Sequence, residues 1–243
     1  MAAVTAYVVD EADVEPVRED GDTASVRTTF DATNGCERLE QRVIRFEPGR
    51  SRERRSEARD EVLFVVAGRG TLELEGERHE LEPNTAAYIA SGESYIVDNA
   101  GPGELLVVSV TAPQPGGDGQ QATRKVTVRL ADQPELPASA ERTFRYLIDE
   151  EAGCRDLTQF LGIVQPSKAP MHSHPYDEVG YIVEGEGIAH VGGRSLPLRP
   201  GSCFHLPPEE VHCIENSGAE TMRILGVFHP SGSPAARTYQ GNI

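Results

Sequence analysis

Residues 178–187 read Glu-Val-Gly-Tyr-Ile-Val-Glu-Gly-Glu-Gly, and residues 61–70 read Glu-Val-Leu-Phe-Val-Val-Ala-Gly-Arg-Gly. The two stretches share Glu-Val at their first two positions, Val at the sixth and Gly at the eighth and tenth, 117 positions apart. In each stretch a β-rich run ends at a glycine-containing turn and a second β-rich run follows, which is typical of a β-hairpin. We therefore predict one such hairpin in each half of the chain.

The correspondence extends well beyond these two stretches. Matched residues are 118 positions apart from Gly35 to Pro48 and 117 positions apart from Glu61 onward. The second copy therefore lacks one residue between these two regions. The matched pairs include Gly35 with Gly153, Gln41 with Gln159, Pro48 with Pro166, Gly76 with Gly193, Pro83 with Pro200 and Asn99 with Asn216. A long register with a single slip indicates that the two halves are copies of one fold.

The segment between the copies differs in composition. Residues 112–121 read Ala-Pro-Gln-Pro-Gly-Gly-Asp-Gly-Gln-Gln, which is too polar and too rich in turn formers to join a core. We therefore predict an N-terminal barrel over residues 1–112, a linker over 113–125 and a C-terminal barrel over 126–243. Short β-rich runs, frequent turns and the lack of a helical apolar stripe predict an all-β fold, a small barrel or jelly roll in each half.

The chain is strongly acidic. Its 39 Asp and Glu residues against 23 Lys and Arg residues give a formal net charge of −16. Such a surface repels nucleic-acid phosphates and anionic lipids, so we expect neither as a partner. No apolar run approaches the roughly 18 residues that span a bilayer, and the first residues lack the features of a secretory signal, so we expect a cytoplasmic protein. The four cysteines form no CxxC pair and are predicted to be free and buried.

Residues 170–178, Pro-Met-His-Ser-His-Pro-Tyr-Asp-Glu, carry the main chemical signal. In an extended strand His172 and His174 lie on one face, and Glu178 can return to that face after Pro175 breaks the strand. A later strand, which follows the turn at residues 207–208, supplies His212 as a fourth candidate ligand. Imidazoles with a carboxylate suit a divalent transition metal such as Mn, Fe, Co, Ni, Cu or Zn.

These residues form two spaced motifs. His172, His174, Glu178 and Gly185 fit H-x-H-x3-E-x6-G, and a second group fits P-G-x10-H-x3-N, namely Pro200, Gly201, His212 and Asn216. The pair resembles the two motifs of the cupin superfamily, and with the repeat it resembles a two-domain cupin, or bicupin. The resemblance implies a double-stranded β-helix in each half and one divalent metal ion inside the C-terminal barrel. Fe or Mn is the expected ion, and Ni, Zn, Cu or Co would also fit.

The N-terminal copy lacks the ligand set. The spacing of 117 places Arg55 and Glu57 at the first two histidine positions and Tyr95 at the position of His212, so that only Glu61 remains. We therefore predict a barrel without metal that mainly supports its twin.

Pairing of the two barrels within the chain is a further prediction, and a homo-oligomer is compatible with it. Alternation suggests that Leu63, Val65, Val179 and Tyr181 face away from the ligand side and pack between sheets.

Other residues near the ligands are candidates for a substrate pocket. Tyr176 at the barrel mouth could orient a substrate, and His205 on a neighbouring strand could relay protons, although each has an ordinary structural explanation. Gly180 either leaves room above the metal or kinks its strand. In a hairpin, Val191 rather than His190 would lie opposite Glu178.

Three classes of function remain open for a small-molecule substrate. The resemblance favours a metal-dependent dioxygenase, an oxidoreductase, acting on a small enol, diketone or phenolic acid. A non-redox isomerase, decarboxylase or lyase of small hydroxy or sugar acids is the first alternative. A binding protein without turnover is the second, since fold alone does not fix chemistry.

Overall fold

The computed structural model describes residues 7–56, 58–113, 124–236 and 239–240. It is an all-β structure with antiparallel sheets and two barrels of the same architecture, as predicted. The strands of the first half are β1 (Val8–Asp10), β2 (Ala24–Phe30), β3 (Glu40–Phe46), β4 (Gly49–Arg50), β5 (Arg54–Arg55), β6 (Arg59–Ala67), β7 (Gly70–Leu74), β8 (Glu77–Leu81), β9 (Thr85–Ile89), β10 (Ser94–Asn99) and β11 (Leu105–Pro113).

The second half repeats this order. Its strands are β12 (Thr127–Arg129), β13 (Leu136–Ser139), β14 (Arg142–Ile148), β15 (Thr158–Val164), β16 (Ser167–Lys168), β17 (His172–Ser173), β18 (Asp177–Glu184), β19 (Gly187–Val191), β20 (Arg194–Leu198), β21 (Ser202–Leu206), β22 (His212–Asn216), β23 (Met222–His229) and β24 (Tyr239–Gln240). Short 3-10 helices occupy Glu11–Asp13, Ala32–Asn34, Leu130–Asp132 and Glu150–Ala152.

Each barrel consists of two sheets that enclose a core. In the N-terminal barrel a six-stranded sheet, β12-β9-β6-β11-β3-β2, faces the sheet β4-β10-β7-β8, with β5 also on β10. In the C-terminal barrel a seven-stranded sheet, β1-β21-β18-β23-β15-β14-β13, faces the sheet β20-β19-β22-β17-β24, with β16 also on β22. Apolar clusters fill the space inside both barrels.

The predicted hairpins are wrong, because β6 and β7, like β18 and β19, lie in different sheets. The glycines between them mark a crossing from one sheet to the other. Gly68 has a φ of +86°, and a Cβ there would lie 2.5 Å from the carbonyl oxygen of Glu104. Such a close approach excludes a side chain. For the same reason Val191 pairs with His212 and not with Glu178.

The two barrels exchange strands. The N-terminal strand β1 pairs with β21 of the C-terminal barrel, and β12 pairs with β9 of the N-terminal barrel. Residues 8–10 and 127–129 thus belong by hydrogen bonding to the barrel opposite the one to which the predicted boundaries assign them. Most of the predicted linker, residues 114–123, lies outside the described residues.

The two large sheets pack face to face between the barrels. Val179 and Tyr181 take part in this shared apolar cluster, as predicted, together with Val62 and Phe64. Leu63 and Val65 do not, and the prediction for them is wrong: they lie in the core of the N-terminal barrel. Alternation along β6 explains the difference, because it places them on the same face as Glu61.

Two further expectations concern cysteines and membranes. All four cysteines are free and buried, as predicted. Within the described part of the chain, no helix is long and apolar enough to span a bilayer.

Candidate metal centre

The predicted ligands converge at one end of the C-terminal barrel. His172 on β17 pairs directly with His212 on β22, and their ring centroids are 4.6 Å apart. One ligand atom from each of His174, Glu178 and His212 lies within 4.8 Å of the others, and all three residues are buried. His172 is half-buried and adjoins this group through the ring of His212. Glu178 thus comes from one sheet and His172 and His212 from the facing sheet, while His174 directly follows β17.

Backbone carbonyls orient all three imidazoles. Nδ1 of His172 lies 3.0 Å from the carbonyl oxygen of Pro170. Nδ1 of His174 lies 2.8 Å from that of Tyr176, and Nδ1 of His212 lies 2.8 Å from that of Glu210. Because a carbonyl oxygen can only accept, each Nδ1 carries the proton, and in a neutral ring Nε2 keeps its lone pair. Hydrogen bonds of this kind typically fix metal-binding histidines.

The charges of the cluster are also those of a cation site. Nε2 of His174 lies 2.9 Å from Oε2 of Glu178, so a proton or a cation must separate these two acceptors. Burial lowers the pKa of His174, but the hydrogen bond and the charge of Glu178 outweigh it and leave that pKa raised. Burial lowers the pKa of His212 to about 4, so at neutral pH this ring is in the neutral form that a metal binds. The donor set therefore fits a divalent transition metal.

The cluster lies at the wall of a cavity of about 90 Å³. Its other walls are mainly aromatic and aliphatic: Phe144, Phe160, Val164, Phe204, Leu206, Ile214, Ile224 and Phe228. Tyr176 lines the cavity too, stacked on His174 with ring centroids 4.4 Å apart. Its hydroxyl donates to the carbonyl oxygen of Ser233, 2.8 Å away, so the chain after β23 is attached to the cavity mouth.

His205 does not line this cavity, so its predicted place in a substrate pocket is wrong. Along β21 the cavity-lining residues are Phe204 and Leu206, and alternation turns His205 to the opposite face. There it is buried between the barrels, with Nε2 2.9 Å from Oδ1 of Asp177 and its ring 5.8 Å from that of Phe30. His205 is therefore part of the interface between the barrels.

Gly180 faces the inside of the barrel, as Glu178 does, but it leaves no room for a ligand. A Cβ at Gly180 would lie 2.1 Å from Cζ of Phe204. The glycine therefore accommodates the ring of Phe204, which forms a wall of the cavity.

The N-terminal barrel has a different arrangement at the equivalent place. Tyr95 pairs with Arg54 and Leu74, as His212 pairs with His172 and Val191, so Tyr95 takes the position of His212.

The prediction that Arg55 stands at the first histidine position is wrong by one residue, because the deletion follows β5 and Arg54 matches His172. Glu57, predicted at the second position, lies outside the described residues.

Glu61 is buried inside that barrel with neutral partners. The hydroxyls of Tyr95 and Ser109 both donate to its Oε1, the first at 3.1 Å. Arg54 pairs instead with Asp22, with 2.7 Å between Nη2 and Oδ2. Burial raises the pKa of Glu61, which favours the protonated acid over a metal-binding carboxylate.

The sequence analysis missed a charged residue that lines the cavity. Arg142 on β14 lines it and donates to the carbonyl oxygen of Ile214. It stands 30 positions before His172, outside both motifs, and no spacing in the sequence indicates that it reaches the site.

Comparisons with known proteins agree with the fold and the repeat. The structure superimposes on a glyoxylate-induced protein of Pseudomonas aeruginosa with a TM-score of 0.77 and 18% identity, covering 93% of this chain and 90% of the other. It superimposes on a mutant of Bacillus subtilis oxalate decarboxylase with a TM-score of 0.77 and 16% identity, covering 93% and 78%.

Curated sequences with significant similarity are shorter matches. An oxalate-binding protein of Thermotoga maritima is 31% identical over 86 residues, which is 34% of this chain and 71% of that protein. The auxin-binding protein T85 of Nicotiana tabacum is 28% identical over 88 residues, which is 31% of this chain and 47% of that protein. The cupin domain model matches twice, at residues 42–111 and 160–228, which together exceed half of the chain. The chain is therefore a member of the cupin family, with two cupin domains.

Proposed function

We propose that the C-terminal barrel binds one divalent transition metal through His172, His174, Glu178 and His212, and that the metal holds a small organic substrate. The observation that carries the proposal is the set of three imidazoles whose Nδ1 atoms all contact carbonyl oxygens. Two of these rings, those of His174 and His212, also place a ring nitrogen within 4.8 Å of a carboxylate oxygen of the buried Glu178. An ion held there would act as a Lewis acid and as a template for a substrate that chelates through oxygen.

A dioxygenase is the reaction class that we place first. Among the described residues that line the cavity, Glu178 is the one carboxylate, and as a ligand it is unavailable as a separate acid or base. His205 faces the other side, and burial raises the pKa of Tyr176, whose hydroxyl already donates to Ser233. A reaction that needs no additional protein acid or base fits this lining best. With a redox-active ion such as Fe or Mn, oxygen chemistry meets that condition.

Decarboxylation or simple capture of a small acid is the second candidate. It is favoured by similarity to proteins named oxalate decarboxylase and oxalate-binding protein. Oxygen uptake and carbon dioxide release, measured with the metal-loaded protein on enols, diketones, hydroxy acids and oxalate, separate the two reactions. Tight binding without either product would indicate capture.

The metal proposal is tested by two matched histidine variants. We expect one ion per chain. His212→Ala should lose most of this metal and His205→Ala should keep it, because of these two residues only His212 faces the cavity. At a free metal concentration of 100 times Kd, an intact site stabilises the fold by about 2.7 kcal/mol. That corresponds to a rise in Tm of about 5–11 °C for a chain of this size.

Metal analysis and thermal unfolding give the answer together. Two ions per chain, no ion after supplementation, or equal losses in both variants would contradict the proposed site.

A further inference from the structure

The chain after β23 crosses the ligand end of the C-terminal barrel. β23 lies in the seven-stranded sheet, whereas β24 lies in the facing sheet, where Gln240 pairs with His172. The chain between these two strands must therefore pass from one sheet to the other beside the proposed ligands. Residues 230–236 of this crossing are called the strap. Pro234 and Ala236 of the strap line the cavity, so the strap forms one of its walls.

The strap differs from the other walls of the cavity. Among the described residues that line the cavity, four lie outside strands, namely His174, Tyr176, Pro234 and Ala236. The first two are buried and belong to the loop that carries a proposed ligand. The strap is thus the one part of the described wall that can move without separating two strands or displacing a ligand.

Two tyrosines of the barrel hold the middle of the strap at Ser233. The hydroxyl of Tyr176 donates to its carbonyl oxygen at 2.8 Å, and the hydroxyl of Tyr146 donates to its Oγ at 3.1 Å. Both rings are packed inside the barrel: Tyr176 lies 4.4 Å from Phe228, and Tyr146 lies edge-on to Phe144 at 5.0 Å, measured between ring centroids. The two donors therefore belong to the packed barrel, and both acceptors belong to the strap.

The strap itself is weakly packed. All of its residues are exposed or half-buried, and none belongs to a strand. Its start makes two further bonds to the barrel. The hydroxyl of Ser231 donates to the carbonyl oxygen of Arg155, and the amide of Gly232 donates to Oγ1 of Thr158. A segment with few buried side chains and no strand pairing opens at a low cost in free energy, so the strap can leave the cavity while the barrel stays folded.

We infer that the strap is the gate through which the metal and a small ligand enter and leave the cavity, and that Tyr176 and Tyr146 hold this gate closed. Tyr176 is then a positioning residue that acts through the strap, since its hydroxyl donates to Ser233. Closure of such segments commonly controls access to a site. The inference rests on the proposed metal site, because the gate has a function only if the ion lies behind it.

Metal exchange tests the gate. Uptake of Co²⁺ by the metal-free protein and its release into excess EDTA are followed by the visible absorption of the bound ion, and the dissociation constant is measured by calorimetry. The proteins compared are the wild type, Tyr176→Phe, Tyr146→Phe and the control Tyr181→Phe. The control makes the same substitution on β18, where the buried hydroxyl of Tyr181 donates to Glu11 at 3.0 Å, away from the cavity.

Each substitution at the strap removes one hydrogen bond that keeps the gate closed. Uptake and release should therefore both become about 3- to 10-fold faster in Tyr176→Phe and in Tyr146→Phe. The dissociation constant should stay the same, because opening of the strap accelerates both directions equally. Tyr181→Phe should exchange metal at the rate of the wild type, although it too loses a buried hydrogen bond.

Three results would overturn the inference. The first is an unchanged release rate in both strap variants. The second is faster release in Tyr176→Phe alone, because the ring of Tyr176 also stacks on His174 and the effect would then arise at the ligand. The third is equal acceleration in Tyr181→Phe, which would indicate a general loosening of the barrel.

Hydrogen exchange of the strap amides gives a readout that does not depend on metal. The amides of Gly232 and Ala236, which donate to Thr158 and Ser233, should exchange faster in both strap variants than in Tyr181→Phe. If the wild type binds no ion, the proposed metal site is wrong and the gate is wrong with it. If the wild type binds the ion but the strap variants change neither amide exchange nor metal release, the gate alone is wrong and the metal site stands.

Discussion

Replacing Gly180 by Ala is expected to destabilise the C-terminal barrel through a single contact. A Cβ at this position would lie 2.1 Å from Cζ of Phe204, whereas carbon atoms in contact are separated by about 3.5–4.0 Å. The ring must therefore move by more than about 1 Å, although Phe204 is fully buried. Overpacking of this kind costs about 1–3 kcal/mol. For a chain of this size the expected fall in Tm is about 2–12 °C.

Gly162→Ala is the matched control in the same sheet. Gly162 also lines the cavity, but its added Cβ would lie 3.7 Å from the nearest atom, the carbonyl oxygen of Ile224. This is ordinary van der Waals contact and needs no movement. Because Gly in a strand is less stable than Ala by about 0.5–1 kcal/mol, the control should be as stable as the wild type or slightly more stable.

Thermal unfolding of both variants without metal decides between these expectations. Equal Tm values for Gly180→Ala, Gly162→Ala and the wild type would refute the argument that Gly180 exists to accommodate Phe204. In that case the alternative interpretation of Gly180, as a kink in β18, would be favoured.

Two further predictions concern the N-terminal copy. Glu61→Gln should raise Tm by an amount that is small at pH 4 and grows towards pH 7. Burial raises the pKa of Glu61 in the folded state. The wild type therefore loses stability as the pH rises from the unfolded pKa of Glu61 through its folded pKa, and the variant does not. A Tm difference that is constant with pH would contradict this. Residues 126–243 expressed alone should be poorly soluble or dimeric, because they lack β1 and expose the cluster shared between the barrels, whereas full-length protein cut in the linker should stay associated. A soluble, monomeric fragment with full metal affinity would show that the N-terminal barrel is not needed.

The sequence was most informative where alternation along one strand decides the outcome. His172 and His174 share a face in any extended strand, so their approach to His212 needed only the correct pairing of strands. The sequence pattern that identifies a strand did not show which of the two sheets that strand joins. The turn at Gly185 looks the same whether the chain folds back on itself or crosses to the facing sheet, and only contacts with distant backbone distinguish the two cases.

Residues outside the motifs were beyond sequence reasoning for a related reason. Arg142 reaches the cavity because β14 joins the same sheet as β18, separated from it by β15 and β23, an order that no local pattern encodes. The prediction for His205 was wrong for the opposite reason. His205 lies within the span of the second motif, yet its strand presents Phe204 and Leu206 to the cavity. A residue close in sequence to the ligands can be assigned to the cavity only when it is known whether the odd or the even positions of its strand face inward.

The equivalent glutamates of the two copies have different surroundings. Glu61 receives two hydroxyl donors and lies among packed apolar side chains, so its surroundings favour an uncharged acid that fills space. Glu178 faces imidazoles that can share a cation with it. The N-terminal segment of the chain nevertheless borders the site, because β1 pairs with β21, and Val8 lies opposite Phe204 in that pair. It therefore contacts the strand that forms the aromatic wall of the cavity, and this contact does not involve Glu61.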